Sequence, residues 1–436
     1  MAILPEKKLF GYKENQELGD LKRLQLVLDN LNDEFLMKKL EKDRKFGRDD
    51  YPVRGMFNAV LAGKLYQHPT AASLIRELSR NGQLREICGL TQAPTSSAFS
   101  RFLSKLINYQ SDIEKLFNIQ LNKLKKEFNK IGEKLGVKIA IDSKAVESAA
   151  NRETKKEKGD RRRDSDASWG KKVYKGKKED GTEWKKIVSW FGYKVHLVVD
   201  AEYEIPLSFT VTDSAQPDIK GGKKLLKKLK QEHPDILKNS KYWLADKAYD
   251  DTDYTKQLWD KENIFPLIDI RQMWKKKPLV RMLEKNENIL YDNKGNVYCY
   301  PLNKKVKMAF GGFNKNRNTL KYRCPAYHYG YSCPRKESCS IGKSIRIPLS
   351  EDRRIFTPIA RSSYKFDRIY KKRTSVERVF SRLGGTYNLD ADHRIRGLKK
   401  MELEVSISFI VMITMAIGRM KEKQMEKMNS LVEAVR

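Results

Sequence analysis

Cysteine is scarce in this chain, with five residues among 436, and long apolar runs are missing. So few cysteines exclude the disulfide framework on which small secreted domains depend. The longest apolar run, ISFIVMITMAIG at 407–418, is too short to span a bilayer and predicts a buried helix. The opening residues MAILPEKKLFGYKEN contain few apolar side chains before the charges begin, so no secretory signal is expected. These absences predict a cytoplasmic protein with no membrane partner.

Acidic residues are also few in comparison with basic ones. The chain has 56 Asp and Glu against 89 Lys and Arg, which makes a formal net charge of +33 at pH 7. Because this excess is spread along the chain, it predicts a surface that attracts polyanions, of which a phosphate backbone is the usual one. The accompanying 20 Tyr, 17 Phe and 6 Trp favour nucleic acid over a generally cationic protein that has no such partner.

Residues 1–134 have the pattern of a helical N-terminal domain. Apolar residues recur at steps of three and four, as in Leu21, Leu24, Leu28, Leu31 and Phe35. We expect this stripe to pack against neighbouring helices, although a dimer seam would have the same pattern. The segments 70–90 and 94–106 resemble a helix-turn-helix, with Thr95 or Ser96 as the cap of its second helix. DNA binding by this domain is therefore a hypothesis.

Residues 135–271 predict the first part of an α/β domain. Strands are expected at 136–142, 191–200, 205–214, 240–246 and 264–270, and helices at 219–233 and 249–263. This order predicts a mixed sheet flanked by helices. The basic, polar segment 151–190 is expected to be an exposed loop or a flexible hairpin. Residues 272–365 are interpreted as an inserted module that contains cysteines, and residues 366–436 as the C-terminal part of the α/β domain.

Three acidic residues stand at the ends or faces of predicted elements. Asp142 ends the first predicted strand, Asp246 ends the fourth, and Glu377 lies on a helix beyond the insertion. If the first and fourth strands lie side by side, their carboxyl ends bring Asp142 and Asp246 together. Two carboxylates this close repel each other unless a cation lies between them, and Mg²⁺ prefers such oxygen ligands. The ordinary alternatives are a turn or cap role for each Asp and a solvated side chain for the Glu.

The segment YKKRTSVERVFSRLGG, residues 370–385, predicts a helix with two distinct stripes. Tyr370, Arg373 and Glu377 share one stripe at spacings of three and four. A separate apolar stripe contains Val376, Val379, Phe380 and Leu383. The helix can therefore dock on a core while a polar face stays available, and the alternative is a solvated face with a weak Arg–Glu pair.

Four of the five cysteines cluster in the predicted insertion. They are Cys299, Cys324, Cys333 and Cys339. Their spacing lacks the close Cys-x2-Cys pairs of most structural zinc sites. A structural Zn²⁺ and plain reduced thiols therefore both remain open, and His328 is an alternative ligand.

These motifs together resemble the DDE transposases of bacterial insertion sequences, which have a ribonuclease-H-like catalytic domain. The similar segments include IAIDSKAV, GYKVHLVVD, VTDSAQPDI and WLADKAYDD. A subgroup of these enzymes has a Tyr-x2-Arg-x3-Glu-x6-Lys signature, and Tyr370, Arg373 and Glu377 match it. Gly384 stands at the position of the signature Lys, and Arg382, Lys399 or Lys400 are candidates to replace that charge.

The resemblance implies a role for each of these residues. Asp142, Asp246 and Glu377 would ligate Mg²⁺ or Mn²⁺, while Tyr370 and Arg373 would hold the phosphate backbone of double-stranded DNA. The implied activity is cleavage at the ends of a mobile element and transfer of 3′-hydroxyls to target DNA, by a homodimer or larger assembly. A non-catalytic DNA-binding protein of the same fold and a single-strand or RNA-processing nuclease are the alternatives.

Overall fold

The structure is a computed structural model that describes residues 18–44, 50–150, 164–274, 279–301, 304–390 and 393–433. The chain divides into two compact units. One, here called the helical unit, comprises residues 1–127, 383–394 and 403–436. The other, here called the sheet unit, comprises residues 128–382 and 395–402.

The helical unit contains a series of short helices followed by a long one. Their bounds are α1 Lys22–Asn30, α2 Glu34–Lys42, α3 Val53–Leu65, α4 Ala71–Arg80, α5 Gly82–Cys88, α6 Ser96–Ile107 and α7 Gln110–Lys130. Side chains cap several of these helices. The Thr95 hydroxyl accepts a hydrogen bond from the Ala98 amide at 3.2 Å, so Thr95 is the cap of α6. Thr70 and Ser73 form a capping box at the start of α4.

The C-terminal helix, Leu398–Lys421, is buried over most of its length. It is long and apolar enough to cross a membrane, and 89% of its most apolar stretch lies inside the protein. Gln120 of α7 donates a hydrogen bond to Thr414 at 2.8 Å, and Gly418 leaves room for Leu26 of α1. Residues 383–394 and 403–436 are grouped with the helical unit, in which this apolar helix is buried against α1 and α7.

The sheet unit is built on a mixed sheet. Its strands are β1 Lys138–Glu147, β2 Ser168–Lys177, β3 Glu183–Asp200, β4 Pro206–Asp213, β5 Tyr242–Ala245 and β6 Phe265–Ile268. The strand order is β2–β3–β1–β5–β6, and β4 also pairs with β3. The strand β1 is antiparallel to β3 and parallel to β5. The expected pairing of the first and fourth predicted strands is therefore confirmed.

Helices connect and flank these strands. They are α8 Asp218–Glu232, α9 Pro234–Asn239 and α10 Thr252–Lys256. The helix α8 packs on β3 and β4, where Gly221 has no side chain and so lets the His196 ring approach. The predicted polar hairpin is found at Ser168–Trp190 as the outer part of β2 and β3. Residues 151–163 of that prediction lie outside the described residues.

The predicted insertion contains two small antiparallel sheets. One has the order β10–β9–β8–β7, and the other has the order β11–β12–β13. Their bounds are β7 Val280–Leu283, β8 Asn286–Asp292, β9 Val297–Cys299, β10 Val306–Lys307, β11 Ala309–Asn314, β12 Thr319–Arg323 and β13 Ser344–Pro348, with α11 at Pro325–His328. Buried residues such as Ile289, Leu320 and Ile347 join both sheets to Trp259 in one cluster. Two further helices follow, α12 Tyr364–Tyr370 and α13 Thr374–Ser381.

Candidate active site and cysteine cavity

Strand register brings Asp142 and Asp246 to the same place in the sheet. The parallel pairing of β1 with β5 ends at the pair Ile141 and Ala245, and each aspartate is the next residue. The sequence predicted that Asp142 ends its strand, and this prediction is wrong. The strand β1 continues to Glu147 because Ser143–Glu147 pairs with β3 on the other side. The Asp246 carboxylate accepts a hydrogen bond from the Ala248 amide at 2.7 Å, which holds it at the end of β5.

Packing of α13 brings Arg373 and Glu377 to Asp142. Val376, Val379 and Phe380 are buried, and α13 contacts β1 and β3. On the polar side, Arg373 Nη1 lies 3.2 Å from Asp142 Oδ2, and Arg373 Nη2 lies 2.5 Å from Glu377 Oε1. One guanidinium therefore bridges two of the three predicted catalytic carboxylates.

Tyr370 and Arg373 lie on a turn between two helices. Tyr370 ends α12, and a single 3₁₀ turn over Lys371–Arg373 leads into α13. The Tyr370 ring stacks on Phe366 with centroids 5.2 Å apart, and the Arg373 guanidinium lies 6.0 Å from the Tyr370 ring centre. The predicted stripe of Tyr370, Arg373 and Glu377 is therefore present, but it is built from two helices and the turn between them.

The electrostatics of this cluster disfavour negative charge on the aspartates. Burial and the nearby Asp246 raise the pKa of Asp142 to about 6, although Arg373 and Lys172 oppose this shift. Burial also raises the pKa of Asp246, and the charge of Asp218 adds to the effect. Burial raises the pKa of Tyr370 in the same way, with contributions from Asp269, Asp246 and Asp142. Such a cluster is stabilised by added positive charge.

Asp218 and Lys194 also belong to this neighbourhood, and the sequence analysis did not assign them a role. Lys194 Nζ lies 3.0 Å from Asp218 Oδ1, and the Ser143 hydroxyl donates to the same oxygen at 2.8 Å. Burial disfavours the Asp218 carboxylate, but its bonds to Lys194 and Ser143 outweigh burial and lower its pKa. Lys194 lies in GYKVHLVVD and Asp218 in VTDSAQPDI, two segments similar to those of DDE transposases, so that similarity was the signal in the sequence.

The donor set at this cluster suits a hard divalent cation. Asp142, Asp246 and Glu377 supply only carboxylate oxygens, which Mg²⁺ and Mn²⁺ accept. Arg373 already supplies positive charge between two of them. No group of three or more His, Cys, Asp or Glu side chains in the described ranges is arranged to hold a metal ion. The oxygen chemistry of these three carboxylates therefore fits a cation, and the Arg373 guanidinium supplies one positive charge that Asp142 and Glu377 share.

The close approach of Asp390 to Gly384 explains why a lysine side chain does not fit at this position. A Cβ on Gly384 would overlap the carboxylate of Asp390. Among the candidates to replace that charge, Arg382 binds Glu204, with Nη1 2.8 Å from Oε2. Lys399 and Lys400 are exposed at the start of the C-terminal helix.

The four clustered cysteines of the predicted insertion line one cavity. Cys299, Cys324, Cys333 and Cys339 all border a space of about 150 Å³. Burial, together with the other three cysteines, raises the pKa of the Cys299 thiol to about 11. His328 is not among the residues that line this cavity. The fold thus gathers four thiols that are up to 40 positions apart in the sequence.

Two family models match the chain. The one described as "Transposase DDE domain" matches residues 134–413, and the one described as "Transposase domain (DUF772)" matches residues 12–105. The chain therefore belongs to the DDE transposase family. Neither the search of curated proteins nor the search of solved structures found a match.

Proposed function

We propose that this transposase cuts DNA at the ends of an insertion sequence and joins the freed 3′-hydroxyls to target DNA. The observation that carries the proposal is the meeting of Asp142, Asp246, Arg373 and Glu377 at one edge of the mixed sheet. A ribonuclease-H-like core is the fold expected of this arrangement, in which a parallel strand pair and a helix bring distant carboxylates together. The net charge of +33 suits a DNA substrate.

In this proposal Asp142, Asp246 and Glu377 hold Mg²⁺ or Mn²⁺. Divalent metal bound there would activate a water or 3′-hydroxyl and stabilise the leaving oxygen of a phosphodiester. Arg373 and Tyr370 bind the phosphate backbone next to the reacting group, because a guanidinium grips phosphate in a planar fork and a phenol adds a hydrogen bond. Arg373 would then exchange its carboxylate partners for phosphate when DNA and metal arrive together.

The test replaces each carboxylate by its amide. We expect Asp142→Asn, Asp246→Asn and Glu377→Gln to lose Mg²⁺-dependent cleavage of a duplex that contains the DNA flanking the gene, while duplex binding persists. Asp260→Asn, a change on an exposed carboxylate of the same unit, is the matched control. Cleavage by all three variants at the wild-type rate would refute the assignment. Binding without cleavage by the wild type in Mg²⁺ and in Mn²⁺ would favour the non-catalytic alternative.

The partners follow from the same chemistry. We propose that the enzyme acts as a homodimer or larger assembly in the cytoplasm, because two element ends must be brought together. The helical unit contributes DNA binding through α6, which exposes Ser97, Ser100 and Arg101 along one side. The DNA contact of such a helix would resemble that of the second helix in a helix-turn-helix.

We also propose that the four cysteines of the insertion hold a structural Zn²⁺. The support is their convergence on one cavity, although their thiols would have to turn toward a shared centre. Elemental analysis of the purified protein should find about one zinc per chain, since four thiolates complete a tetrahedral site. Cys333→Ser should remove the zinc, and Cys88→Ala, a change outside the cavity, should keep it. A metal-free wild type would leave ordinary reduced thiols.

A further inference from the structure

The small sheet β11–β12–β13 buries only one of its two faces. Directly paired residues share a face of a sheet, and successive residues along a strand alternate between the faces. Tyr322 pairs with Ile345 and Leu320 pairs with Ile347, and all four belong to one apolar cluster or pack against it. The other face of the sheet therefore lies away from that cluster.

This other face, here called the outer face, is defined by three basic residues. Lys321 of β12 pairs with Arg346 of β13, and Arg323 follows Lys321 by two positions, so the three residues share a face. Arg323 and Arg346 are exposed, and Lys321 is half-buried. The three strands contain no Asp or Glu. Within the described ranges of the chain, none of these three cations forms an ion pair with a carboxylate.

The arrangement of charges on the outer face is unfavourable in the free protein. Lys321 and Arg346 are direct cross-strand neighbours, and like charges in that position destabilise a sheet. The surrounding sequence adds to the positive charge, because residues 298–348 include eleven Lys and Arg and one acidic residue, Glu337. A bound polyanion would remove this repulsion.

A β-bulge with two glycines leaves the β11 side of the outer face without side chains. The register of β11 against β12 shifts between Phe310 and Gly312, so Gly311 is the extra residue. A Cβ on Gly311 would lie 3.2 Å from Lys321 Cγ and 3.3 Å from Arg323 Cγ, so both basic side chains pass beside this glycine. Gly312 has a φ of +112°, which favours glycine, and a Cβ there would have no neighbour within 4 Å. Glycines placed in this way let another backbone approach a strand closely.

The aromatic residues of the three strands lie on the opposite face. Phe310 pairs with Tyr322 and Phe313 pairs with Leu320, and these residues belong to the apolar cluster or pack against it. On the outer face, β11, β12 and β13 therefore offer no ring on which an unpaired base could stack. Guanidinium and ammonium groups on a face without rings bind the phosphate backbone, which favours a duplex over a single strand.

We propose that the outer face binds the phosphate backbone of double-stranded DNA through Lys321, Arg323 and Arg346. The contact is independent of base sequence, because phosphates are the same at every position. This inference rests on the proposed function, since that function supplies the duplex, and it adds a DNA contact outside the carboxylate cluster. DNA is favoured over a second copy of this face, because a second copy would bring cations against cations.

The first experiment compares two double variants that lose the same charge, with a fluorescent DNA duplex as the probe. Lys321→Gln with Arg346→Gln should weaken binding and reduce the slope of log K against log salt by about 1.8, for two lost phosphate contacts. Lys285→Gln with Lys294→Gln changes two exposed lysines beside β8 and should leave the slope close to that of the wild type. An unchanged slope in the first variant, or equal reductions in both, would reject the outer face as a DNA contact.

Thermal unfolding of the same variants checks that weaker binding does not come from a damaged fold. Since Lys321→Gln with Arg346→Gln removes a like-charge pair, its unfolding midpoint should be at least as high as that of the wild type. A clearly lower midpoint would contradict the repulsion on which the proposal depends. The charge-retaining variant Lys321→Arg with Arg346→Lys should keep the wild-type salt slope.

The second experiment tests the choice of a duplex and separates this inference from the proposed function. With a single strand of the same length as the probe, Lys321→Gln with Arg346→Gln should bind almost as well as the wild type, and a greater loss than with the duplex would contradict the proposal. If this variant binds the duplex like the wild type while Asp246→Asn still loses cleavage, the outer face is rejected and the proposed function stands. If the wild type does not cut but the difference in salt slope persists, the proposed function fails and the DNA contact stands.

Discussion

Arg373 Nη1 lies 3.2 Å from Asp142 Oδ2, although 231 positions separate the two residues in the sequence. The guanidinium also binds Glu377, so two carboxylates share one positive charge. Removing it should leave the aspartate pair with uncompensated negative charge. This relationship leads to the first prediction.

We predict that Arg373→Ala increases the stabilisation of the protein by Mg²⁺. Without the guanidinium, the carboxylates repel one another more strongly and gain more from a divalent cation. The measurement is the thermal unfolding midpoint with and without Mg²⁺. Arg378→Ala, which removes an arginine of the same helix bound to Glu204, is the control and should leave the Mg²⁺ effect unchanged. A smaller Mg²⁺ effect in Arg373→Ala would contradict the prediction.

His196 should make the protein sensitive to acid. Burial lowers its pKa to about 4 from an ordinary value of 6.5, even though Asp218 favours the charged form. Below pH 6.5 His196 binds a proton in the unfolded chain but stays neutral in the folded chain. The free energy of unfolding therefore falls as the pH drops from 6.5 toward 4. Over this pH range the His196 contribution to the free energy of unfolding falls by about 3 kcal/mol. Thermal unfolding of His196→Gln between pH 7.5 and 4.5 should show a weaker loss than the wild type, whereas the exposed His328→Gln should behave like the wild type.

Replacing Gly384 or its neighbour Gly385 by alanine should change the free energy of unfolding by different amounts. A Cβ on Gly384 would overlap Asp390, whereas Gly385 has no neighbour within 4 Å of a Cβ. We expect Gly384→Ala to cost about 1–3 kcal/mol by overpacking. Gly385→Ala should cost little. Thermal unfolding compares the two, and Asp390→Ala combined with Gly384→Ala should recover part of the loss. Equal destabilisation by both single variants would argue against the overlap.

The neighbouring residues Arg353 and Arg354 of the predicted insertion each form an ion pair, and the two pairs differ in burial. Arg354 Nη2 lies 2.5 Å from Asp250, whose side chain is 1% exposed. Its neighbour Arg353 binds Asp260, whose side chain is 44% exposed. Arg354→Met leaves a buried carboxylate without its cation and should cost about 3–5 kcal/mol, while Arg353→Met should cost about 1 kcal/mol or less. Both values can be compared by thermal unfolding, and a larger loss for Arg353→Met would be inconsistent with this account.

Much of the sheet unit could be predicted from alternating and apolar segments. The strands β4, β5 and β6 and the helix α8 lie close to their predicted ranges, because local patterns decide which face is buried. The length of β1 beyond Asp142 could not be predicted, since it depends on pairing with β3. The break between α12 and α13 was also missed, because the spacing of Tyr370, Arg373 and Glu377 is the same in a continuous helix.

By itself, the sequence determined the charge of the surface, the order of strands and helices, and which acidic, basic and cysteine residues were candidates for chemistry. Those properties depend on residue types and on spacings of a few positions. Only the tertiary structure decided that Arg373 lies between Asp142 and Glu377, that Asp218 and Lys194 lie nearby, and that four cysteines share one cavity. These contacts join segments far apart in the chain, and strand register and helix packing determine them through the burial of the whole core.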